Sequence, residues 1–223
     1  MIATVLLPGR SRVTDDRAAG YGGRMGPSGE SERERLLRLT AAYVVEHGVG
    51  GLTLRRLGAA IGSNNRMLLY YFESKERLIE QALLTASGTF PELAGALDRL
   101  GGPGPLKERL DDCWAGIAAA GNHPFHRLFF EVFGTALHQP GRFDRFLASV
   151  GAQWASLVAE RLRAEGVPDP EASRLGREIV ALWRGLQFDL LSTGDAAEVA
   201  RIHSAASAAL AERCARAGVH TAG

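Results

Sequence analysis

Two short apolar stripes separated by a glycine turn constrain this chain more than any other feature. The first stripe consists of Leu54, Leu57 and Ile61, and the second of Leu68 and Phe72. Each stripe recurs at helical spacing and gives a short helix one face to bury. Between them lies Gly62-Ser63-Asn64, a Gly-containing turn of the length that joins the two helices of a helix-turn-helix motif. Residues 53–78 therefore predict two short helices followed by the capped start of a third.

The second of these helices carries polar residues on its outward side. If Leu68 faces inward, a rotation of about 100° per residue turns Arg66, Leu69 and Tyr70 outward. Arg can fork onto guanine, Asn can pair with adenine, and the amides at a helix start attract phosphate. The pattern therefore indicates a helix that enters the DNA major groove. Spacing alone leaves a second interpretation open, which is an ordinary helical hairpin with a solvated polar face.

A wider pattern surrounds the two stripes and stays in register across four predicted helices. Its positions are Glu46-His47-Gly48, Thr53, Leu57, Gly62, Leu68, Tyr71-Phe72, Lys75 and Leu78. With these residues, the segment from about 31 to 85 resembles the DNA-binding domain of the tetracycline-repressor (TetR) family of bacterial transcriptional regulators. The resemblance implies a homodimer that binds a palindromic double-stranded DNA operator, most often as a repressor, and that a small-molecule effector releases.

The resemblance also implies which side chains meet DNA, although three positions depart from the family pattern. The family's Val-Ser at the turn is Ser63-Asn64, its usual Gly is Arg66, and its phosphate-binding Tyr falls at Leu69, so Tyr70 is a substitute. Lys75 keeps its family position, but a solvated charge paired with Glu76 or Glu80 is the alternative. The expected DNA-binding residues are Thr53, Arg55, Arg56, Asn64, Asn65, Arg66, Leu69, Tyr70 and Lys75. Thr53, Arg55 and Lys75 are assigned mainly to phosphates.

Composition favours an all-α protein. Of the 223 residues, 46% are hydrophobic, which is enough for one sizeable core or for a small domain plus a larger one. Ala, Leu, Arg and Glu dominate, so helix is the expected element. The two cysteines form no CxxC motif, and residues 2–7 are too short an apolar run for a signal peptide. No run reaches the roughly 18 apolar residues of a membrane helix, and we expect a cytoplasmic protein.

Charge is weakly polarised along the chain. Residues 31–85 hold eight basic against six acidic residues, whereas residues 86–223 hold fourteen against sixteen. The asymmetry has the sign expected of an amino-terminal DNA-binding domain, but it is small. A net charge of +1 is too neutral for an architectural DNA-coating protein.

The chain divides into three predicted parts. Residues 1–30 lack helical periodicity and are expected to form a disordered arm, with Met25 as an alternative start. Residues 31–88 form the helix-turn-helix domain, which begins at the capping box Ser31-x-x-Glu34 and whose first helix ends at Gly48. Residues 89–218 form a helical ligand-binding and dimerisation domain.

Helix breakers divide this second domain into five or six predicted helices. The helices after Pro140 and Pro168 are expected to be the longest, at about 25 residues each. In the TetR family such helices pair with their copies in a second subunit, although an apolar stripe can equally pack inside one chain. The resemblance makes these residues dimer-interface candidates: Phe146, Val150, Leu157, Leu175, Ile179, Leu182, Leu186 and Leu190.

Aromatic residues in the same domain suggest a ligand pocket, since pockets are mostly apolar with a few converging polar groups. The candidates are Trp114, Phe125, His126, Phe129, Phe130, Phe133, Trp154 and Phe188. Further polar groups could come from Glu131, His138 and Gln153. Aromatic residues at helical spacing also build ordinary cores, so this alternative stays open.

An enzyme or a metal-binding helical bundle, with a hairpin that does not bind DNA, is the competing class. His123 and His126 are three apart, but the repeated Glu-x-x-His pairs of di-iron bundles are missing from the sequence. The sequence also lacks HExxH, GxSxG and P-loop patterns. We therefore expect no catalytic residues, no metal site and no cofactor.

Overall fold

The sequence favours helix throughout, and the structure follows it. The computed structural model describes residues 30–139, 141 and 143–219. Within those ranges the chain forms α-helices and no strand, so the predicted all-α class is confirmed. The expected disordered arm lies outside the described residues except for Glu30.

The described ranges contain ten α-helices and one short 3-10 turn at Ala120–Asn122. The helices are α1 (Glu32–His47), α2 (Leu54–Ala60), α3 (Asn65–Phe72), α4 (Lys75–Ser87), α5 (Pro91–Leu100), α6 (Leu106–Ala118), α7 (His123–His138), α8 (Asp144–Ala164), α9 (Glu171–Thr193) and α10 (Ala196–Val219). The helix-turn-helix thus spans α2 and α3. Six helices follow α4, as the breakers predict.

The ends of α1 form where the sequence predicts them. The Ser31 hydroxyl accepts from the Glu34 amide at 3.3 Å, and the Glu34 carboxylate accepts from the Ser31 amide at 2.9 Å. This reciprocal capping box satisfies two amides that the first helical turn leaves unpaired. At the other end Gly48 has φ +71° and donates its amide to the Val44 carbonyl. Glycine adopts that backbone conformation without the strain of a side chain.

Close packing divides the described residues into two compact units. The first unit contains residues 30–89 together with Arg127–Asp144, and the second contains Phe90–His126 together with residues 145–219. The first stretch of the first unit ends at Thr89, and the later segment around α7 groups with this unit rather than with the second. The first turn of α7 therefore belongs to the second unit, and its remaining turns belong to the first.

The core of the first unit joins α1, α2, α3 and α4. Its most enclosed side chains are Leu36, Val44, Leu57, Leu68, Phe72 and Leu78, each at most 1% exposed. The apolar stripes of α2 and α3 therefore face inward as predicted. The Arg33 guanidinium lies 5.2 Å from the centre of the Phe72 ring, a cation–π contact at the edge of this core.

The second unit packs α5 on α6, and α10 against α6 and α9. Leu110, Ile117, Leu162, Leu175 and Ile179 are almost fully enclosed there. A Cβ atom added at Gly176 of α9 would lie 2.6 Å from the Ala155 carbonyl oxygen of α8. The absence of a side chain at this position therefore permits the close approach of the two helices.

The predicted dimer stripe on α9 is wrong for four of its residues. Leu175, Ile179, Leu186 and Leu190 are at most 6% exposed within the single chain, so they offer no free surface to a second copy. Helical spacing shows that a face is buried, but it does not show whether the same chain or a copy covers it. Phe146 is likewise buried, Leu157 and Leu182 are half-buried, and the side chain of Val150 lies outside the described residues.

Two further details differ from the sequence interpretation. Asp169-Pro170-Glu171 predicts Asp169 as the N-cap of α9 with Pro170 at the first helical position. The helix instead begins at Glu171 with Pro170 in the N-cap position, and the Asp169 carboxylate pairs with Arg163 at 2.7 Å. The longest described helix is α10, with 24 residues, whereas α8 and α9 have 21 and 23. The alanine-rich α10 contains no proline over this length.

Candidate nucleic-acid interface

The turn between α2 and α3 depends on two glycines. Gly62 has φ +69°, and the Ser63 amide donates to the Gly58 carbonyl at 2.7 Å. A Cβ atom at Gly58 would lie 3.1 Å from both the Asn64 Cα atom and the Ser63 carbonyl oxygen. The sequence interpretation singled out Gly62 and missed Gly58. The available signal for Gly58 was its place inside a short helix. Glycine lowers helix stability there, so its presence indicates a packing reason such as the close approach of another backbone.

Side-chain caps fix where the two helices begin. The Thr53 hydroxyl accepts from the Arg56 amide at 3.2 Å, and Asn64 Oδ1 accepts from the Met67 amide at 3.0 Å. Capping thus occupies the Asn64 oxygen, which the sequence interpretation placed near a base. The Asn64 side chain is thus held against the start of α3, whereas Asn65 and Arg66 lie beyond the cap and are exposed.

The outward face of α3 has the composition that the helical rotation predicts. Asn65 and Arg66 are exposed, and Leu69 and Tyr70 expose 44% and 61% of their surface. On the neighbouring α2, Arg55 and Arg56 are also exposed. All of these side chains project from α2 or α3 away from the core, and all except Leu69 carry polar groups.

The charge of this surface is much more one-sided than that of the whole chain. Between His47 and Phe72 the sequence contains three arginines and no aspartate or glutamate. Neither α2 nor α3 has an acid in its first turn, so the positive end of each helix dipole is not neutralised. The first acid after this stretch, Glu73, forms an ion pair with Arg77. The surface therefore suits a polyanion.

Lys75 does not stand free at the start of α4. Its Nζ atom donates to the Leu52 carbonyl oxygen at 2.9 Å, and the side chain is half-buried. The ammonium group therefore supports the segment that leads into α2. The sequence interpretation, which left open a phosphate contact or a charge paired with Glu76 or Glu80, did not include this role.

Glu131 also acts on that segment, which we call the glycine loop (residues 48–52). Its Oε2 atom accepts from the Val49 amide at 3.0 Å, and its Oε1 atom accepts from the Gly50 amide at 2.5 Å. The suggestion that Glu131 supplies a polar group to a ligand pocket is therefore wrong, because both oxygens bind backbone in the first unit. Sequence reasoning missed this role because nothing local links α7 to the glycine loop.

The eight pocket candidates do not form one group. Trp114, Phe125 and His126 are buried in the second unit, where Trp154 is half-buried. Phe129, Phe130 and Phe133 belong to the first unit and contact one another, with the Phe129 and Phe133 rings 6.2 Å apart. Phe188 is 62% exposed and cannot line an enclosed pocket of this chain, so that assignment is wrong.

Trp114 does line a cavity of about 300 Å³ in the second unit. Asp111, His203 and Ser204 are the polar lining residues, and alanine, valine and leucine side chains supply most of the rest. The His203 ring stacks on Trp114 with ring centres 5.1 Å apart. The sequence interpretation did not select Asp111 or His203, whose only sequence signal is a polar residue on an apolar helix face.

His203 is held neutral and in one tautomer. Trp183 Nε1 donates to His203 Nε2 at 3.0 Å, so Nε2 carries no proton, and Nδ1–H faces Asp111 Oδ1 at 3.3 Å. Burial, despite the nearby carboxylate, lowers the pKa of His203 to about 4. Hydrogen bonds from Lys107 and Ser207 keep the pKa of Asp111 below its usual value although burial opposes them. With both ring nitrogens engaged, this His–Asp pair cannot act as a general base.

His126 presents the opposite case. It is 2% exposed, and neither of its ring nitrogens has a hydrogen-bond partner among the described residues. Burial, with a smaller effect of His123, lowers its pKa to about 4. A zinc site needs about four ligands, and the described residues contain no group of three or more potential ligands.

None of the described helices is long and apolar enough to cross a bilayer.

Solved structures with the same fold are known. A proposed TetR-family transcriptional regulator from Rhodococcus sp. is 20% identical, with TM-score 0.62 over 83% of this chain and 97% of that one. Salmonella enterica GusR is 17% identical, with TM-score 0.62 over 81% and 95%. A proposed transcriptional regulator from Pseudomonas aeruginosa PAO1 is 21% identical, with TM-score 0.64 over 87% and 96%. Sequence-family models and curated proteins give no match.

These similarities establish the architecture of the chain. It has the fold of a TetR-family transcriptional regulator, with an amino-terminal helix-turn-helix followed by a larger helical part. The resemblance seen in residues 31–85 is thus confirmed at the level of the fold. The likeness extends well beyond the helix-turn-helix, since more than four fifths of this chain is covered in each comparison.

Proposed function

We propose that this chain is a DNA-binding transcriptional regulator that recognises a palindromic operator as a homodimer and leaves it when a small apolar or amphipathic effector binds. Its role is that of a repressor, and it acts in the cytoplasm, where bacterial operators are found. Chemistry on a substrate is not part of this function.

The observation that carries the proposal is the surface of α2 and α3. Three exposed arginines stand on a stretch without a single acid, and Asn65 and Arg66 project from the start of the second helix. Arg and Asn are the side chains that read guanine and adenine in the major groove. The same two helices in a helical hairpin without a partner would have no reason to exclude every carboxylate over this stretch.

Dimerisation is part of the proposal because one recognition helix makes few base contacts. Two copies related by a two-fold axis place their recognition helices about 34 Å apart, one turn of DNA. The outward face of α9 supports it: Phe188 is 62% exposed, and a Cβ atom at Gly185 would meet no atom within 4 Å. We assign this face to the dimer in place of the buried stripe on the other side of α9.

For the effector we propose the cavity beside Trp114. An aromatic floor with a few polar groups is typical of small-molecule sites. The cavity offers a carboxylate at Asp111 and a hydroxyl at Ser204 amid apolar side chains. This composition favours a small amphipathic molecule, because apolar side chains surround the few polar groups of the cavity.

A genomic pulldown tests the proposal directly. Purified protein should retain a small set of fragments with a shared palindrome, and a metabolite extract should release them. Competition with unrelated duplex DNA at increasing salt should show that the binding is both sequence-specific and salt-sensitive. Retention of random fragments alone, or none, would reject the regulator.

Arg66→Ala then tests the base-reading surface. Loss of a forked arginine contact should weaken operator binding by about 1–3 kcal/mol and relax one base preference. Arg201→Ala removes an exposed arginine from α10 and is the matched control, which should bind as the wild type does. An unchanged footprint and affinity in Arg66→Ala would remove this residue from the interface.

A further inference from the structure

The Glu131 carboxylate of α7 accepts hydrogen bonds from the glycine loop and is not part of the exposed surface of α2 and α3. Its two oxygens accept from the backbone amides of Val49 and Gly50, at 3.0 and 2.5 Å. The partners are more than 80 positions apart in the chain, so this is a tertiary tie rather than part of a local turn. Hydrogen bonds to an ionised acceptor are stronger than those between neutral groups.

The glycines of the loop make room for this carboxylate. A Cβ atom at Gly48 would lie 2.5 Å from Glu131 Oε2, and one at Gly50 would lie 2.8 Å from Glu131 Oε1. Both distances are far below a van der Waals contact. The Gly48-Val49-Gly50 sequence therefore forms a cradle for an anionic group, and Glu131 fills it.

The same loop determines where α2 begins. The Leu52 amide donates to the Val49 carbonyl at 3.1 Å, and the Leu52 carbonyl accepts from Lys75 Nζ at 2.9 Å. The next residue, Thr53, is the N-cap of α2. The loop is thus held on one side by an acid of α7 and on the other by a base of α4, immediately before the helix-turn-helix.

We infer that Glu131 is a positioning residue for DNA binding: by holding the Val49 and Gly50 amides, it fixes the direction in which the helix-turn-helix leaves α1. The inference rests on the proposed function for its DNA readout. Removing the Glu131 carboxylate therefore tests first the contact and then the positioning role.

Hydrogen exchange without DNA tests the contact itself. In Glu131→Gln the amides of Val49 and Gly50 should exchange roughly 10-fold faster than in the wild type, because a neutral amide oxygen replaces the ionised acceptor. Glu46→Gln removes an exposed acid of the first unit and serves as the control, with exchange unchanged. Equal exchange in Glu131→Gln and the wild type would overturn the inference.

DNA binding tests the positioning role. Using a duplex from the genomic pulldown, Glu131→Gln should lose roughly 10-fold in operator affinity, with unrelated duplex bound as before and the dimer intact. A merely structural residue would instead lower the melting temperature and weaken both kinds of binding together. Failure of the wild type to select any duplex would reject the proposed function while leaving the exchange result to decide the contact.

Gly50→Ala provides a second route that leaves Glu131 in place. The added methyl group would meet the Oε1 atom at 2.8 Å, and the carboxylate end can swing away more easily than backbone can move. Gly50→Ala should therefore reproduce the faster exchange at Val49 and the selective loss of operator affinity. Wild-type behaviour in this variant, together with a changed Glu131→Gln, would show that the negative charge and not the contact matters, and would overturn the inference.

Discussion

The two units of this protein use polar side chains in opposite ways. In the first unit the arginines of α2 and α3 point to solvent, and the histidines His47 and His138 are exposed. In the second unit His126 and His203 are 2% exposed, and Asp111, Trp183 and Ser207 bind one another or His203 inside the packing. The exposed arginines of the first unit can contact a polyanion. The stability of the second unit depends instead on the partners of its buried polar groups.

The difference should appear most strongly when the pH falls. The pKa of His203 is about 4 in the folded chain and 6.5 when exposed, so the folded state favours the neutral ring. Its contribution to the free energy of unfolding is complete above pH 6.5 and is lost as the pH falls through 4, by at most about 3 kcal/mol. His126, with its pKa also about 4, should act in the same direction.

Tryptophan fluorescence isolates the second unit, since Trp114, Trp154 and Trp183 all lie there. Urea unfolding monitored this way should show a steep loss of stability between pH 6.5 and 4. In His203→Gln the loss should shrink by up to about 3 kcal/mol, because the titrating ring is gone. His138→Gln removes a histidine of the first unit and is the control for loss of an imidazole outside the tryptophan-containing unit. A profile equally steep in His203→Gln would contradict the assignment of a neutral His203.

A second experiment asks whether the second unit also carries the dimer face. Phe188→Asp should separate the dimer and lower operator affinity by about 2 kcal/mol or more, because a charge replaces an apolar anchor at the interface centre. Leu137→Asp places the same charge on a side chain that is 59% exposed in the first unit, and its mass in solution should stay that of the wild type. A dimeric Phe188→Asp in sedimentation would move the interface elsewhere.

A third experiment compares two helical glycines, one in each unit. Gly58→Ala should distort the turn before α3, because its methyl group would press on the backbone of Ser63 and Asn64. A cost of about 1–3 kcal/mol for overpacking exceeds the gain of about 1 kcal/mol in helix propensity. In Gly95→Ala nothing lies within 4 Å of the added atom, so that variant should be more stable than the wild type. Thermal unfolding and operator binding measure both; a stabilised Gly58→Ala would show that the turn can yield.

The two units also differ in how much of them the sequence predicts. In the first unit the caps at Ser31 and Ser74 and the inward faces of α1 to α4 follow from local rules, because each rests on residues three or four apart. The outward position of Arg66 and Tyr70 follows from the same periodicity. Because such local patterns predict helices, the fold class could be predicted from the sequence. The family resemblance covered residues 31–85, where caps and apolar stripes occur most often.

What the sequence did not predict depends on contacts between distant parts of the chain. Helical spacing marks Leu175 and Ile179 as buried without naming the partner, so the stripe was assigned to a second copy instead of the chain's own core. The pairing of Glu131 with the glycine loop, and of Asp111 with His203, joins residues more than 80 positions apart. No periodicity or motif encodes such pairs, since each member alone reads as an ordinary polar residue.

Lys75 supplies the last and smallest test of how the first unit presents its charges. The sequence assigns it to a phosphate, whereas the structure joins its Nζ atom to the Leu52 carbonyl at 2.9 Å. Lys75→Ala should therefore cost operator binding about 1.5 kcal/mol, the lower end of the range for a hydrogen bond to a charged group, while leaving the salt dependence unchanged. Arg55→Ala removes an exposed arginine of α2 and should instead reduce the salt slope by about 1. Affinity measured across salt concentrations separates the two: a flatter slope in Lys75→Ala would return this residue to the phosphate backbone and leave Glu131 as the sole charged support of the glycine loop.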